Sequence, residues 1–132
     1  MVTLDTSALL ALFDDRQPFH GSVLELVQSE SGPLVIPTGI MSETTYFVEK
    51  RLGHRALKLF LEDILHGVYL LHFGDNDIAR IIELVDRYHD LPLGYADASV
   101  IACAERHGGR AATLDHRHFA VVAREGTIQI VP

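Results

Sequence analysis

The acidic residue with the most unusual surroundings is Asp97, the only charged residue between Asp90 and Glu105. The run around it is apolar enough to form a helix buried on nearly all sides, with Val100 and Ile101 one turn further along on the face of Asp97. Burying an unpaired carboxylate costs several kcal/mol, so a cation, hydrogen-bond donors or a raised pKa must offset that cost. Asp97 is therefore a candidate for a site that binds a cation.

Three further acidic residues occupy comparable positions. Asp5 follows the β-rich start of the chain, and Asp115 follows another short strand-like segment. Glu43 lies at helical spacing from Tyr46 and Phe47 and is predicted to share their core-facing stripe. In α/β proteins, ligands gather beyond the carboxyl ends of parallel strands. We therefore expect the four carboxylates to share one crevice.

Such a crevice has a defined chemistry. Clustered carboxylates repel one another and raise one another's pKa, so a site built from four of them requires cations. Ligand sets made of oxygen suit Mg²⁺, with Mn²⁺ able to substitute. A hydrated divalent cation lowers the pKa of a bound water and neutralises charge that develops on a phosphoryl oxygen. The reaction that fits is hydrolysis of a phosphodiester bond.

The eight histidines do not predict a zinc site, because neither a His-Glu-x-x-His motif nor paired-cysteine spacing occurs.

The charge of the chain is acidic overall and uneven along the sequence. A formal net charge of −7 argues against a protein that holds nucleic acid through a large basic face. Residues 50–58 and 106–124 are nevertheless rich in Lys and Arg. Two basic patches on an acidic body suit a phosphate-bearing ligand that approaches an acidic site. The candidates for phosphate contacts are Lys50, Arg51, Arg55 and Arg117.

Length and cysteine content bound the class of protein. We expect the 132 residues to form a single domain, 1–132, large enough for a hydrophobic core of its own. The one cysteine, Cys103, can form no intrachain disulfide, which fits a reducing cytoplasm. The longest apolar stretch, 64–73, contains two histidines and a glycine and is unsuited to spanning a membrane. We expect a soluble, cytoplasmic protein.

Strand-like and helix-like segments alternate along the chain. This alternation predicts an α/β fold: a three-layer sandwich with a mostly parallel central sheet of four to five strands and helices on both faces. The predicted strands are 2–4, 34–36, 68–71, 111–114 and 128–131, and the predicted helices are 8–13, 19–29, 38–52, 54–65, 76–89 and 94–107.

The same patterns predict caps and buried faces. Thr6 or Ser7 is predicted to cap the first helix, with Asp5 as the alternative, and Thr38 is predicted to cap helix 38–52. Asp75 and Asp77 are interpreted as acids that cap helix 76–89 or face its dipole. The predicted core-facing stripes are Ile40, Glu43, Tyr46 and Phe47 in one helix and Ile78, Ile81, Ile82 and Val85 in the other.

Four segments in this order resemble a known family. They are Leu-Asp-Thr-Ser-Ala-Leu-Leu at 4–10, an isolated Glu43 in a helix, Ala-Asp-Ala at 96–98, and Thr-Leu-Asp-His-Arg-His-Phe at 113–119. Together they resemble the PIN domain, specifically the VapC-type toxins of bacterial toxin–antitoxin pairs, over essentially the whole chain. The resemblance implies a PIN-like sandwich and a Mg²⁺-dependent endoribonuclease that forms a homodimer and is held inactive by a small antitoxin.

The resemblance also implies roles for individual residues. The catalytic positions are Asp5, Glu43, Asp97 and Asp115. Of these, Asp5, Asp97 and Asp115 are the implied metal ligands. Ser99 stands where some PIN domains carry a further acid. The resemblance therefore does not determine whether the site holds one metal ion or two. The hydroxyl groups expected to support the acids are those of Thr6, Ser7 and Thr113.

An alternative assigns no catalysis to the chain. A catalytically silent PIN-like domain that binds RNA or protein would share the fold, although the presence of all four acids counts against it. Either protein would need partners, because helices 8–29 and 38–65 carry more apolar surface than a thin sandwich can bury. The expected partners are a second copy, an antitoxin and an RNA with an exposed loop or single strand.

Overall fold

The computed structural model describes residues 1–132 and alternates strands with helices along the chain. The strands are β1 (Val2–Leu4), β2 (Leu34–Pro37), β3 (Tyr69–His72), β4 (Arg110–Ala112) and β5 (Gln129–Val131). The helices are α1 (Thr6–Phe13), α2 (His20–Ser29), α3 (Met41–Leu52), α4 (His54–Leu65), α5 (Ile78–Arg87), α6 (Tyr95–Arg106) and α7 (His116–Ala123), and a 3₁₀ turn at Thr38–Ile40 precedes α3.

The five strands form one sheet in the order β3-β2-β1-β4-β5, with every neighbouring pair parallel. Parallel crossovers are almost always right-handed. The connections from β1 towards β3 therefore place α1 to α4 on one face, and those from β3 to β5 place α5 to α7 on the other. This confirms the predicted α/β sandwich.

The strand order reverses between β1 and β4. The two strands pair in register, with Thr3 opposite Ala111 and Leu4 opposite Ala112. The chain leaves β1 towards β3 at one edge of the sheet, whereas it leaves β4 towards β5 at the other edge, so the helices that follow these two strands diverge. A crevice at such a reversal is the usual ligand site of an open parallel sheet. Asp5 and Asp115 follow these two strand ends.

Helix α6 crosses the centre of the sheet and is the most buried helix of the protein. All residues from Ala98 to Ala104 are buried, as the apolar run predicted. Small side chains let it approach the strands closely, and larger residues fill the remaining space. The largest fully buried side chains include Phe119, Leu4, Leu9, Ile36, Ile40 and Ile101. Asp97 is therefore carried on a rigid element.

Two predicted caps are wrong. The N-cap of α1 is Asp5, whose carboxylate accepts a hydrogen bond from the backbone N–H of Thr6. The cap is therefore the alternative, Asp5, and not Thr6 or Ser7. Thr38 begins the 3₁₀ turn and makes no capping bond. Its hydroxyl donates instead to the backbone carbonyl of Phe73, at 3.2 Å. The reason is that Pro37 still belongs to β2, so the helix starts one tight turn later than expected.

The predicted core-facing stripes are also partly wrong. In α3 the residues that reach the core are Thr44 and Val48, while Tyr46 is exposed. In α5 the buried residues are Ile81 and Leu84, whereas Ile78 and Ile82 are exposed. The apolar face of α5 packs along one side only, at Ile81 and Leu84, and the apolar residues of α3 are spread around the helix, so periodicity alone does not determine which arc packs. None of the helices is both long and apolar enough to span a lipid bilayer.

Candidate active site

A cleft of ≈330 Å³ lies where β1 and β4 end. All four acids predicted from the sequence line it, although they come from four different parts of the chain: Asp5, Glu43, Asp97 and Asp115. The remaining lining residues are Thr6, Ser7, Leu10, Gln17, Phe47, Arg51 and Leu114. The fold thus brings the predicted acids together, as the crevice at the strand reversal requires.

Asp5 is held in one orientation by three donors. Its Oδ1 accepts from the backbone N–H of Thr6 at 2.7 Å, and its Oδ2 accepts from the hydroxyls of Thr113 at 2.8 Å and Ser7 at 3.1 Å. Asp5 is only 8% exposed. Burial raises its pKa, the three hydrogen bonds partly offset the rise, and the nearby carboxylate of Asp115 adds to it.

The supporting hydroxyls form a chain between the two strand ends. The Thr113 hydroxyl accepts the backbone N–H of Asp115 at 3.0 Å, and the Ser7 hydroxyl accepts the backbone N–H of Leu114 at 3.0 Å. The Thr6 hydroxyl makes its hydrogen bond with the hydroxyl of buried Thr44 at 2.9 Å and none with Asp5. Ser7 and Thr113 therefore orient the acids directly, whereas the Thr6 side chain fastens α1 to α3.

Asp115 stands at the N-terminus of α7 and is paired with His118. Its Oδ1 accepts from the backbone N–H of His118 at 3.2 Å, and its Oδ2 lies 2.7 Å from His118 Nδ1. The first contact is a helix cap and the second fixes the imidazole against the carboxylate. His118 was not among the residues predicted for the site.

Asp97 enters the cleft from the first turn of α6. Its pKa is raised to about 6, first by burial and then by the carboxylates of Asp5, Asp115 and Glu43, against a smaller opposing effect of His118. Of the ion pairs in the protein, only that of Asp115 with His118 involves one of the four acids. Asp5, Glu43 and Asp97 therefore lack the cationic partners that would normally offset burial and mutual repulsion.

One face of α3 forms the opposite wall of the cleft. Glu43, Phe47 and Arg51 follow at intervals of four residues, so their side chains lie above one another. Glu43 is exposed at the rim, and burial followed by the charge of Asp5 raises its pKa. The guanidinium of Arg51 lies 4.7 Å from the ring centre of Phe47. Two members of the predicted core stripe of α3, Glu43 and Phe47, thus line the cleft instead.

The other basic candidates lie outside the cleft. Lys50 is directed to Tyr46, with its ammonium 3.4 Å from the phenol oxygen and 5.5 Å from the ring centre. Arg55 on α4 and Arg117 on α7 are exposed and do not line the cleft. Of the four residues predicted to contact phosphate, the structure brings only Arg51 to the acids.

The donor set suits a divalent cation. The ligand-type atoms of Asp97, Asp115 and His118 all lie within 4.8 Å of one another, and Asp5 lines the same cleft without belonging to that group. His118 Nδ1 is engaged by Asp115, and the three aspartates of the cleft contribute carboxylate oxygens as ligand atoms. Oxygen ligands and an excess of negative charge fit Mg²⁺ or Mn²⁺. The residues present therefore fit the metal that the sequence predicted.

Comparison with known proteins places the chain in a family. The model of the PIN domain matches residues 2–125. Ribonuclease VapC26 of Mycobacterium tuberculosis is 36% identical over 121 residues, which make up 90% of each chain. The chain therefore belongs to the PIN domain family, within its VapC group.

Solved structures share the fold at lower sequence identity. The crystal structure of VapC20 of Mycobacterium tuberculosis, described as a sarcin-ricin loop cleaving toxin, superposes with a TM-score of 0.82 at 22% identity and covers 100% of both chains. A toxin–antitoxin complex from Klebsiella pneumoniae gives a TM-score of 0.72 at 19% identity, covering 100% of this chain and 97% of that one. These likenesses confirm the PIN-like fold.

Sequence reasoning missed one residue of the site, His118, and did not distinguish Arg51 from the other basic candidates. His118 lies three residues after Asp115, which is the spacing of neighbours on a helix, and recognising Asp115 as a helix start would have revealed the pair. Arg51 lies two helical turns after Glu43, so the same spacing would have distinguished it from Lys50 and Arg55. Both signals depend on knowing which face of the helix lines the cleft.

Proposed function

We propose that residues 1–132 form a single PIN-like domain that acts as a metal-dependent endoribonuclease, the toxin of a toxin–antitoxin pair. One observation carries the proposal. Asp5, Glu43, Asp97 and Asp115 converge on one cleft, and no Lys or Arg forms an ion pair with any of them. The 36% identity to Ribonuclease VapC26 supports ribonuclease chemistry rather than another phosphoryl reaction.

The proposed cofactor is Mg²⁺, for which Mn²⁺ can substitute. Asp97 and Asp115 would hold the cation together with Asp5. When bound, it supplies a water of lowered pKa and neutralises charge on the phosphate. Asp5 is kept in a single orientation by Thr6, Ser7 and Thr113, so its carboxylate does not have to be ordered when substrate binds.

The remaining charged residues of the cleft act on substrate and water. Arg51, stacked on Phe47 at the wall, is placed to meet a phosphate that approaches the acids. Glu43 at the exposed rim is placed to accept a proton from water that enters the cleft. Lys50, Arg55 and Arg117 are proposed to contact phosphates further along the RNA. A recessed cleft admits the phosphate of a loop or single strand more readily than that of a duplex.

The proposed protein partners are an antitoxin and a second copy of the chain. The proposed substrate is RNA, and the proposed location is the cytoplasm. Solved PIN relatives are described as toxin–antitoxin assemblies, among them the complex from Klebsiella pneumoniae. The protein also exposes large apolar side chains that a partner would cover, notably Leu65 and Phe73. An antitoxin arm with a basic residue that enters the acidic cleft would block the site by charge complementarity.

A cleavage assay tests the proposal. Purified protein is mixed with an RNA hairpin that carries a single-stranded loop, in Mg²⁺, in Mn²⁺ and in EDTA. We expect cuts within the loop with either metal, none in EDTA and none with Asp115→Asn. Asp86→Asn, which changes an exposed acid of α5, is the matched control and should cleave normally. Binding of the hairpin without any cut in Mg²⁺ or Mn²⁺ would support the silent PIN-like domain instead.

A further inference from the structure

A second group of metal-ligand side chains lies away from the acidic cleft. It contains His72, the last residue of β3, together with Cys103 and His107 at the end of α6. One ligand-type atom of each lies within 4.8 Å of those of the other two. Cys103 follows Asp97 by six residues on the same helix, which corresponds to about 9 Å along its axis. The two groups are therefore separate.

His72 is oriented by a buried carboxylate. Its Nε2 lies 2.6 Å from Oδ2 of Asp77, whose side chain is 3% exposed. Arg106 donates to the other oxygen of Asp77. Burial raises the pKa of Asp77, but its hydrogen bonds with His72 and Arg106 hold the pKa below its usual value. Asp77 therefore stays ionised, and its hydrogen bond with Nε2 of His72 leaves Nδ1 of the same ring directed to His107.

His107 completes a pair of facing ring nitrogens. Its Nε2 lies 3.1 Å from His72 Nδ1, and the two rings stand at 88° to each other. In a tetrahedral zinc site, two nitrogen ligands are separated by about 3.3 Å. The observed spacing is thus close to that of two imidazoles on one ion. Burial and the neighbouring His72 lower the pKa of His107, which favours the neutral form that binds metals.

Cys103 supplies the third ligand-type atom. Its side chain is fully buried, and its sulfur lies 3.5 Å from the hydroxyl of Thr3, which can donate to a thiolate. Burial raises the pKa of Cys103 to about 11, so the thiol keeps its proton when no metal is present. A divalent cation bound to the sulfur displaces that proton to solvent.

We propose that His72, Cys103 and His107 form a binding site for Zn²⁺ that fastens the end of edge strand β3 to the C-terminus of α6. A thiolate and two imidazoles favour zinc over Mg²⁺, which prefers oxygen. Asp77 acts as the carboxylate that orients a zinc-bound histidine, an arrangement common in zinc proteins. Its ion pair with Arg106 also keeps that guanidinium from facing the ion as an unpaired positive charge.

Cobalt substitution tests the site independently of RNA cleavage. Co²⁺ bound to a thiolate shows sulfur-to-metal charge-transfer absorption in the near ultraviolet, which an all-oxygen site lacks. We expect this band in the wild type and in Asp97→Asn, whose change lies in the acidic cleft, and its loss in Cys103→Ser and Cys103→Ala. Melting curves recorded in EDTA establish that each variant is folded.

Zinc titration provides the second measurement. Zn²⁺ should raise the melting temperature of the wild type, and its dissociation constant should increase more than about tenfold in Cys103→Ala and in His107→Ala. His116→Ala, which removes an exposed histidine of α7, is the matched control and should leave the affinity unchanged. A cobalt complex without the band, or equal zinc affinity in wild type, Cys103→Ala and His107→Ala, would overturn the proposal. The cluster would then be only a hydrogen-bonded His–His–Asp group.

Discussion

The hydroxyl of Thr113 donates a hydrogen bond of 2.8 Å to Oδ2 of Asp5, although the two residues are 108 positions apart in the sequence. The same hydroxyl accepts the backbone N–H of Asp115. A hydroxyl has a single proton, so these two bonds fix its direction. One fully buried side chain therefore positions two of the four acids of the cleft.

Replacing this hydroxyl should disturb the site more than the fold. Thr113→Val keeps the shape of the side chain but leaves Asp5 without one donor and the Asp115 N–H without an acceptor. Hydrogen bonds to charged groups contribute about 1.5–3 kcal/mol, so we expect kcat/KM for RNA cleavage to fall about tenfold or more. Thr113→Ser retains the hydroxyl and should restore most of the activity. Equal cleavage by all three proteins would remove Thr113 from the site.

Metal binding should stabilise the folded protein through Asp97. Without metal, Asp97→Asn should raise the melting temperature, because it removes a carboxylate that burial and neighbouring acids disfavour. Mg²⁺ at 100 times its dissociation constant should stabilise the wild type by about 2.7 kcal/mol. Differential scanning calorimetry should show a smaller metal-induced shift in Asp97→Asn, Asp5→Ala and Asp115→Ala. Shifts equal to that of the wild type in these variants would contradict a shared site.

The structure separates Arg51 from the other basic candidates. Since only Arg51 lines the cleft, Arg51→Gln should raise KM and reduce the salt dependence of RNA binding by about one unit of slope. Arg55→Gln changes an exposed residue of α4 and is the matched comparison, with a smaller expected effect. Cleavage measured over a range of salt concentrations distinguishes them. A larger loss for Arg55→Gln would place the RNA along α4 rather than at the cleft wall.

An ion-pair network around Glu125 predicts how stability depends on pH. Although burial raises its pKa, hydrogen bonds from Tyr88, Arg80 and Arg87 lower the pKa of Glu125 to about 2. Because the folded-state pKa is depressed, the stabilisation is complete above the ordinary value of 4.5 and is lost as pH falls from there towards 2. Glu125→Gln should unfold at lower temperature at pH 7 and lose less stability on acidification. Glu25→Gln, an exposed change on α2, should behave like the wild type.

The sequence was sufficient to predict the sandwich and the meeting of the four acids. Short apolar runs that alternate with helical segments permit few topologies, and parallel strands place the residues after them at one edge. Asp97 was identifiable because a lone charge in a buried helix has an energetic cost that some interaction must offset. These inferences needed only burial, periodicity and charge.

Other features depended on packing that no local pattern records. Asp77 was interpreted as an acid that caps helix α5 or faces its dipole. It does occupy the N-cap position, but its side chain makes no capping bond and instead binds His72 and Arg106, which lie in other elements. Cys103 and His107 are neighbours on one helix face at a spacing of four residues, but His72 joins them only because β3 and α6 meet in the folded chain. The stripe of α3 was predicted to face the core because it contains aromatic residues. Aromatic residues beside Glu43 suit the wall of a cleft equally well, so the sequence pattern does not distinguish the two positions.

Mapping of RNA 5′ ends in cells tests the central claim most directly. The wild type and Asp97→Asn are expressed in a bacterium that lacks the antitoxin, and new 5′ ends are sequenced. The proposed function predicts growth arrest and a few sharp cleavage sites in loops or single strands for the wild type, with neither in Asp97→Asn expressed at the same level. Growth arrest by Asp97→Asn without new RNA ends would contradict it, since toxicity would then come from binding rather than from cleavage in the acidic cleft.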